Sequence, residues 1–222
     1  MSDPAPLPRT GAFPAPEPAL DEVGAAHPQD LAPAFAFALQ RACGVAENER
    51  RPLLLSIPKA WLNERGRPFG HGAAAMGIDP ARLLMVRADK PVDALWVMEE
   101  ALRSGAVCGA VGMVETPDFV ATRRLDFAAR AGRASAVLLR ANPGADLSAA
   151  RRRWRVSSLE AAIDPFDGRA PGRARMRIDL VRSRDGQPAH WILEQDDETG
   201  RLRLVAGLAG HGQPPRGHSA AG

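Results

Sequence analysis

A glycine-rich segment, Gly70-His71-Gly72-Ala73-Ala74-Ala75, has the spacing Gly-x-Gly-x-x-Gly/Ala of a phosphate-binding loop. Such a loop binds phosphate when it joins a strand directly to a helix, because the N–H groups at the helix N-terminus then face the ligand. Here twelve residues separate the segment from the preceding apolar run, which ends at Ile57, although Asp89 lies near the offset of a ribose-binding carboxylate. A tight turn packed beneath a helix is the favoured interpretation, and a phosphate loop is the alternative.

The chain lacks the nucleotide-binding motif Gly-x-x-x-x-Gly-Lys-Ser/Thr. In that motif backbone amides hold the phosphates, the lysine neutralises them and the hydroxyl binds magnesium. The two lysines of the chain are Lys59 and Lys90, and neither follows a glycine. The sequence therefore predicts no P-loop and no nucleotide cofactor.

Histidines and cysteines do not occur at the spacings of metal ligands. The chain has no Cys-x-x-Cys and no His-Glu-x-x-His, and its two cysteines, Cys43 and Cys108, are typical of a protein in a reducing cytosol. The segment Asp164-Pro165-Phe166-Asp167-Gly168 lacks the further ligands of a calcium loop and predicts a turn. No Gly-x-Ser-x-Gly marks a nucleophilic serine. The sequence thus predicts neither a metal site nor a catalytic set.

Positive charge is concentrated in the C-terminal third. Residues 151–184 contain ten arginines and four acidic residues, a balance of +6, whereas residues 1–30 have a balance of −4. Arginine alternates with apolar residues along 173–180, so a β-strand here would place the arginines on one face. This surface is the candidate interface with a protein partner or with DNA, and its residues are Arg151, Arg152, Arg153, Trp154, Arg155, Arg173, Arg175 and Arg177.

The arginine-rich surface has three interpretations. Its Trp154 could stack on a base of single-stranded or primed DNA, or the surface could bind a protein. Alternatively, the acidic turn at 194–198 neutralises a face that is merely solvated. The dependence of affinity on salt concentration distinguishes a DNA ligand from a protein partner, because phosphate contacts give a steep loss of affinity with ionic strength.

Short apolar runs alternate with helical patterns over the middle of the chain, which predicts a mostly parallel sheet covered by helices. We expect strands near 53–57, 83–88, 107–114 and 135–140, and helices over 92–104 and 117–131. Seven side chains are expected to be deeply buried: Leu54, Leu84, Val86, Leu95, Val111, Leu125 and Leu138. Amphipathic runs at 151–158, 173–181, 190–193 and 202–205 predict an antiparallel extension.

The predicted organisation is one α/β domain between two tails. Residues 1–30 are interpreted as a disordered Pro/Ala-rich leader, and 207–222 as a disordered tail. The domain spans 31–206, with an α/β core over 31–141 and the antiparallel extension over 142–206. No apolar stretch approaches the ~18 residues of a membrane-spanning helix. We expect a soluble, cytoplasmic protein with no membrane partner.

Several segments resemble a known family. The strand region 77–88 and the pattern Asp93-x-Leu-Trp-x-x-Glu-x-x-Leu-Arg-Ser-Gly105 are similar to the core of the RecA recombinase superfamily. Together with 123–129 and 138–140, they resemble more closely the ImuA-like proteins of bacterial mutagenesis cassettes, some of which are labelled SulA-like. The resemblance covers about residues 50–205.

The resemblance implies a RecA-like fold and a role in damage-induced translesion synthesis during the SOS response. It also implies two partners, an ImuB-like protein that resembles a polymerase without being one, and an error-prone polymerase alpha subunit. A cytoplasmic protein that associates with the nucleoid when active is expected.

The chain departs from the RecA pattern at three nucleotide-handling positions. Residues 31–52 hold no replacement for the P-loop. The strand that should end in a catalytic Glu ends Ser56-Ile57-Pro58, and the strand that should end in a magnesium-linked Asp ends at Met113, with Glu115 two residues beyond. All three elements are needed for phosphoryl transfer.

Two hypotheses follow. In the first, the chain is a non-catalytic RecA-like adaptor of the translesion complex. In the second, it is an ATP-binding, RecA-like DNA repair ATPase whose phosphate site is atypical. Division inhibition, suggested by the SulA-like label, has no support from the residues.

Overall fold

A computed structural model describes residues 12–43, 50–68, 70–141, 146–164 and 167–205 of the chain. The strands are β1 Leu20–Ala25, β2 Leu53–Pro58, β3 Leu83–Ala88, β4 Gly109–Met113, β5 Ser135–Arg140, β6 Arg152–Leu159, β7 Arg175–Ser183, β8 Ala189–Gln195 and β9 Leu202–Leu204. The helices are α1 Leu31–Cys43, α2 Lys59–Arg65, α3 Gly70–Ala75, α4 Pro91–Ser104 and α5 Phe119–Gly132.

All nine of these strands lie in one sheet, in the order β3-β2-β4-β5-β1-β6-β7-β8-β9. The strands from β3 to β6 run parallel, and β7, β8 and β9 extend the sheet antiparallel. The predicted fold class, a mostly parallel α/β sheet with an antiparallel C-terminal extension, is confirmed.

Two apolar cores cover the two faces of the sheet. Helix α1 packs on one face, where its Phe37 and Leu39 join side chains of β2, β6, β7 and β8. Helices α4 and α5 pack on the opposite face, through Met98, Leu102 and Leu125. Burial of both faces explains why the parallel strands β2 and β5 are mostly apolar and buried at every position rather than alternating.

The predicted middle of the chain agrees closely with the structure. Helix α4 starts at Pro91 and ends before Gly105, whose φ of +68° is the left-handed conformation that glycine adopts readily. Six of the seven expected core residues follow the prediction at least in part, with Val86 only partly buried. The predicted burial of Leu84 is wrong, because β3 is an edge strand and leaves Leu84 48% exposed.

The predicted disordered leader over 1–30 is wrong in its second half. Residues Leu20–Ala25 form β1, which is buried along its whole length between β5 and β6. The preceding Phe13 packs against Phe37, Trp154 and Trp191 at centroid distances of 5.3–6.4 Å. Residues 1–11 and the predicted tail 207–222 lie outside the described residues.

A buried ion pair holds β1 against α1. Asp21 of β1 accepts hydrogen bonds from Arg41 Nε of α1 at 2.9 Å and from Trp154 Nε1 of β6 at 3.0 Å. The Arg41 guanidinium also donates to the carbonyls of Pro14 and Ala15 and lies 4.8 Å from the Trp154 ring centroid. These contacts join the first described segment to the core. Among the described residues, every helix is too short or too polar to span a bilayer.

Candidate functional site

The connections that leave β1 and β5 diverge at the carboxyl edge of the sheet. After β1 the chain enters α1 on one face, and after β5 it passes Ala150, which packs in the core of the opposite face. Adjacent parallel strands whose connections diverge in this way open a crevice, and ligands of α/β proteins bind in such crevices. The crevice between β1 and β5 is therefore the position at which an α/β protein of this topology would bind a nucleotide.

The turn that leads from β1 into α1 occupies the position of a phosphate loop. It spans residues 26–30, with the sequence Ala26-His27-Pro28-Gln29-Asp30, and contains neither glycine nor lysine. Residues 31–52 therefore follow the position of a phosphate loop, since α1 already starts at Leu31. Pro28 has no N–H to offer a phosphate.

A buried carboxylate of the protein accepts hydrogen bonds at this turn, and its partner Ser158 belongs to β6, the neighbour of β1 opposite to β5. Asp30, 3% exposed, accepts hydrogen bonds from the Ser158 N–H at 2.8 Å, the Ser158 hydroxyl at 2.7 Å and the His27 N–H at 3.1 Å. Its negative charge precedes the N-terminus of α1, where the helix dipole stabilises an anion. A phosphate approaching this turn would meet a buried carboxylate in place of free N–H donors.

Burial raises the pKa of the Asp30 carboxyl, but the hydrogen bonds from Ser158 and His27 outweigh burial and leave the pKa below its ordinary value. A carboxyl whose pKa is lowered by folding stabilises the protein above its unfolded-state pKa. That stabilisation is lost as the pH falls through the folded-state pKa.

We expect Asp30→Asn to lower the free energy of unfolding at pH 7 by about 1–3 kcal/mol, because charged hydrogen bonds to a buried acceptor are lost. The difference between the variant and the unaltered protein should begin to shrink as the pH falls below about 4, the unfolded-state pKa, and should vanish once the pH has passed the lower folded-state pKa of Asp30. Urea unfolding at several pH values measures it. A difference that stays constant down to pH 3 would show that Asp30 is not stabilised as a carboxylate.

The β5 side of the crevice is filled by buried charged side chains. Arg140, at the end of β5 and 1% exposed, pairs with Asp146 at 2.6 Å and lies 3.8 Å from Glu22 of β1. Glu22 also pairs with Arg153 of β6 at 2.9 Å. Protein charges therefore pair with one another here, although among the described buried atoms Glu22 Oε1 and Arg140 Nε have no hydrogen-bond partner.

The two other nucleotide-handling positions are also occupied by structural contacts. Ser56, near the end of β2, donates its hydroxyl proton to the carbonyl of Ala94 in α4 at 2.9 Å. Met113 ends β4 as a buried residue, as the sequence predicts, and Glu115 accepts the Ala141 N–H at 3.1 Å. The Ser56 hydroxyl and the Glu115 carboxylate are thus each engaged in a hydrogen bond within the protein.

The glycine-rich segment over 70–75 is the short helix α3, which corrects the favoured interpretation of a tight turn. The correction has a simple cause, since three consecutive alanines favour helix and Ala73 packs into the core on the α1 face. No strand leads directly into this segment, because α2 ends at Arg65 before it. Within the described ranges, no three His, Cys, Asp or Glu side chains converge as metal ligands would.

The predicted alternation along β7 is confirmed. Met176, Ile178 and Leu180 are buried, while Arg175 and Arg177 face outward. The row is paired with carboxylates, however. Arg175 bonds Glu194 at 2.8 Å and Arg177 bonds Asp179 at 2.8 Å.

Arg173 belongs to the same row and is paired as well. It contacts Asp197 at 2.7 Å and Glu194 at 3.4 Å, and these hydrogen bonds raise the pKa of its guanidinium. The acidic turn thus neutralises much of the row, as one of the three interpretations of the sequence supposes. Binding of a partner or of DNA by these arginines stays a prediction.

The structure corrects the prediction for the part of the arginine-rich surface formed by residues 151–155. Trp154 is 2% exposed in the core beneath α1, so it cannot stack on a base. Arg152 is also buried, where it pairs with Glu17, and Arg151 pairs with Asp185 at 2.5 Å. Within residues 151–155, Arg155 is the one exposed side chain. Strand β6 lies between β1 and β7, and the other side chains of this run are buried or partly buried.

Asp30 is the site residue that sequence reasoning missed. It was assigned to the leader, although an Asp ahead of an alanine-rich apolar pattern is a typical helix-start signal. The signal was available, but its structural partner, Ser158, lies 128 residues away.

Comparisons with known proteins identify relatives of the chain. No protein-family profile matches it. The chain is 34% identical over 165 residues to "Protein ImuA" of Caulobacter vibrioides strain NA1000 / CB15N, a match covering 68% of this chain and 67% of that protein. The same values hold for "Protein ImuA" of strain ATCC 19089 / CIP 103742 / CB 15.

A solved structure is also similar, the crystal structure of SulA from Pseudomonas aeruginosa. Its TM-score is 0.45 at 22% identity, over 55% of this chain and 98% of SulA. The resemblance inferred from the sequence is confirmed by the curated relatives, since the aligned share is large on both sides and the identity is well above chance. The chain belongs to the ImuA family.

Proposed function

We propose that this protein is a non-catalytic RecA-like adaptor in damage-induced, error-prone translesion DNA synthesis. It acts in the cytoplasm, at the nucleoid, during the SOS response. Its partners are an ImuB-like pseudo-polymerase and an error-prone polymerase alpha subunit. Membership of the ImuA family supports the link to damage-inducible mutagenesis.

The observation that carries the non-catalytic part is the filled crevice. At the turn where a RecA-like ATPase would hold phosphate, Asp30 accepts three hydrogen bonds from the protein itself. On the other side Arg140 is neutralised by Asp146 and Glu22. A metal-bound anionic ligand would have to displace the buried Asp30 carboxylate from these hydrogen bonds. The displacement is costly, because each lost charged hydrogen bond costs about 1.5–3 kcal/mol.

The large parallel sheet then serves as a scaffold. An adaptor needs a rigid body that presents surfaces to two partners. Helices cover both faces of the parallel part of this sheet, whereas β7 turns its arginine row outward on one face. Direct contact with single-stranded or primed DNA is a weaker part of the proposal, since the arginine row is paired with acidic side chains.

Substitution of either lysine is expected to leave damage-induced mutagenesis unchanged. Lys59 starts α2 and Lys90 precedes α4, and both are exposed and distant in sequence from the crevice turn. We expect Lys59→Ala and Lys90→Ala to support mutation frequencies within about twofold of the unaltered chain, as surface changes of small energetic effect do. Reversion frequency after ultraviolet irradiation measures this.

Equilibrium titration of the purified, nucleotide-free protein with magnesium-ATP is the companion measurement. No binding up to millimolar ATP is expected. Micromolar binding, together with loss of mutagenesis in a stably folded lysine variant, would contradict the adaptor proposal and favour an ATPase with an atypical phosphate site.

A further inference from the structure

Helices α4 and α5 expose large apolar side chains that the core does not use. Val92 and Trp96 of α4 are 64% and 57% exposed, and Val120 of α5 is 64% exposed. Val92 and Trp96 are four residues apart, so they lie on one face of α4, and Val120 lies across from them on the neighbouring helix. Exposed apolar side chains that are grouped, rather than scattered, mark interaction sites.

These side chains border a groove of about 500 Å³ between the N-terminal halves of the two helices. We call it the α4–α5 groove. Its apolar lining consists of Val92, Leu95, Trp96, Val114, Val120 and Ala121. Leu95 and Val114 form a buried floor, while Trp96 and Val120 stand on the rim. The size and the apolar lining suit side chains of another helix or extended segment.

Acidic side chains predominate around the groove. Three carboxylates line it, from Asp93, Glu99 and Asp118, against a single guanidinium, from Arg124. Arg124 is already paired with buried Glu99 at 2.6 Å, and Glu99 also pairs with Arg103. The exposed carboxylates at the mouth are those of Asp93 and of Asp118, which also caps α5 by accepting the Ala121 N–H at 2.7 Å.

We propose that the α4–α5 groove binds an amphipathic, basic segment of a protein partner. The segment inserts aliphatic or aromatic side chains against Trp96 and Val120 and places Lys or Arg beside Asp93 and Asp118. This inference rests on the proposed adaptor function, whose partner it supplies with a docking site.

Charge complementarity decides the class of occupant. The carboxylates at the mouth repel phosphate, so nucleic acid is disfavoured there. A second copy of this chain that docked groove to groove would oppose like charges, since a two-fold interface joins identical surfaces. A cationic amphipathic segment satisfies both the apolar lining and the acidic mouth. Tryptophan is enriched among the residues that dominate binding energy, which makes Trp96 the expected anchor.

The test measures the affinity of the full chain for the proposed ImuB-like partner. Trp96→Ser and Val120→Ser are expected to raise the dissociation constant by at least about thirtyfold, the effect of removing a dominant contact. Asp93→Lys should weaken binding and reduce its sensitivity to salt, because an attractive charge pair is lost.

Phe127→Ser is the matched control. Phe127 is an equally exposed aromatic residue of α5, at 58%, but it lies outside the groove and contacts Arg123. Its substitution should leave the affinity within about twofold, because scattered surface contacts contribute little. All four side chains are exposed, so each variant should keep the thermal midpoint of the unaltered protein, and a variant that does not is replaced by Val92→Ser.

The outcomes separate this inference from the proposed function. Tight binding of the ImuB-like protein by the groove variants and the unaltered chain alike would overturn the groove while leaving the adaptor intact. Failure of the unaltered chain to bind would overturn both. Sedimentation equilibrium that shows a dimer abolished by Trp96→Ser would identify a second copy as the occupant and contradict the proposal.

Discussion

A chain that begins at residue 27 is expected to have no folded state. It would lack β1, which hydrogen-bonds to β5 on one side and to β6 on the other, in the middle of the sheet. Leu20 and Val23 are completely buried, and each contributes about 1.5–3 kcal/mol by its burial alone. Loss of the strand's hydrogen bonds to both neighbours adds to this, so the total is comparable to the 5–15 kcal/mol or so by which domains are stable.

Circular dichroism and the dispersion of amide proton resonances measure this outcome. Removal of residues 207–222, which the sequence predicts to be a tail, is the control and should leave both signals unchanged. Cooperative unfolding of the chain that starts at residue 27 would show that the sheet does not depend on β1, and would restore the interpretation of residues 1–30 as a dispensable leader.

Replacement of Asp21 by alanine is expected to lower the free energy of unfolding by about 3–5 kcal/mol, the usual effect of leaving one member of a buried ion pair without its partner. Arg41 and Trp154 would both lose an acceptor, and the Arg41 guanidinium is 98% buried at its side chain. Urea unfolding measures the change.

Two comparisons make the Asp21 result specific. Asp179→Ala removes an exposed pair with Arg177 and should cost less than about 1 kcal/mol. The double variant Asp21→Ala/Arg41→Met should be more stable than the sum of the single changes implies, because the unpaired charge is then absent. A loss below about 1 kcal/mol for Asp21→Ala would show that the ion pair is not needed to hold β1.

The apolar strands and the two helices of the middle region were predictable because their signals are local. Pro91 starts α4 and Gly105 ends it, and the buried strand β2 is an uninterrupted apolar run. Each signal depends on residues that lie next to one another in the chain, so tertiary contacts were not needed to interpret it.

Strand β1 was not predictable because its stabilising partners are remote in sequence. Asp21 and Glu22 are acidic residues in the centre of a sheet, which is unfavourable until Arg41, Arg153 and Arg140 arrive from other elements. The proline-rich flank reinforced the wrong interpretation. The buried position of Trp154 has the same cause, because it depends on β6 pairing with β1 beneath α1.

At the candidate site, the sequence alone indicated which motifs are missing but not which contacts are present. The missing P-loop motif is visible in the sequence, but the self-filled crevice depends on Asp30 meeting Ser158. The α4–α5 groove likewise requires two helices to lie side by side before Trp96 and Val120 become neighbours in space. Edge position, which leaves Leu84 exposed, is a property of strand order and has no local signal.

The affinity of the full chain for the proposed ImuB-like partner, measured with and without magnesium-ATP, distinguishes the proposed adaptor from an ATPase. A filled crevice and an acidic apolar groove predict one dissociation constant in nucleotide-free buffer, in ATP and in ADP, because no part of the complex depends on a bound phosphate. Partner binding that appears only with ATP, or that changes tenfold between ATP and ADP, would contradict a non-catalytic adaptor.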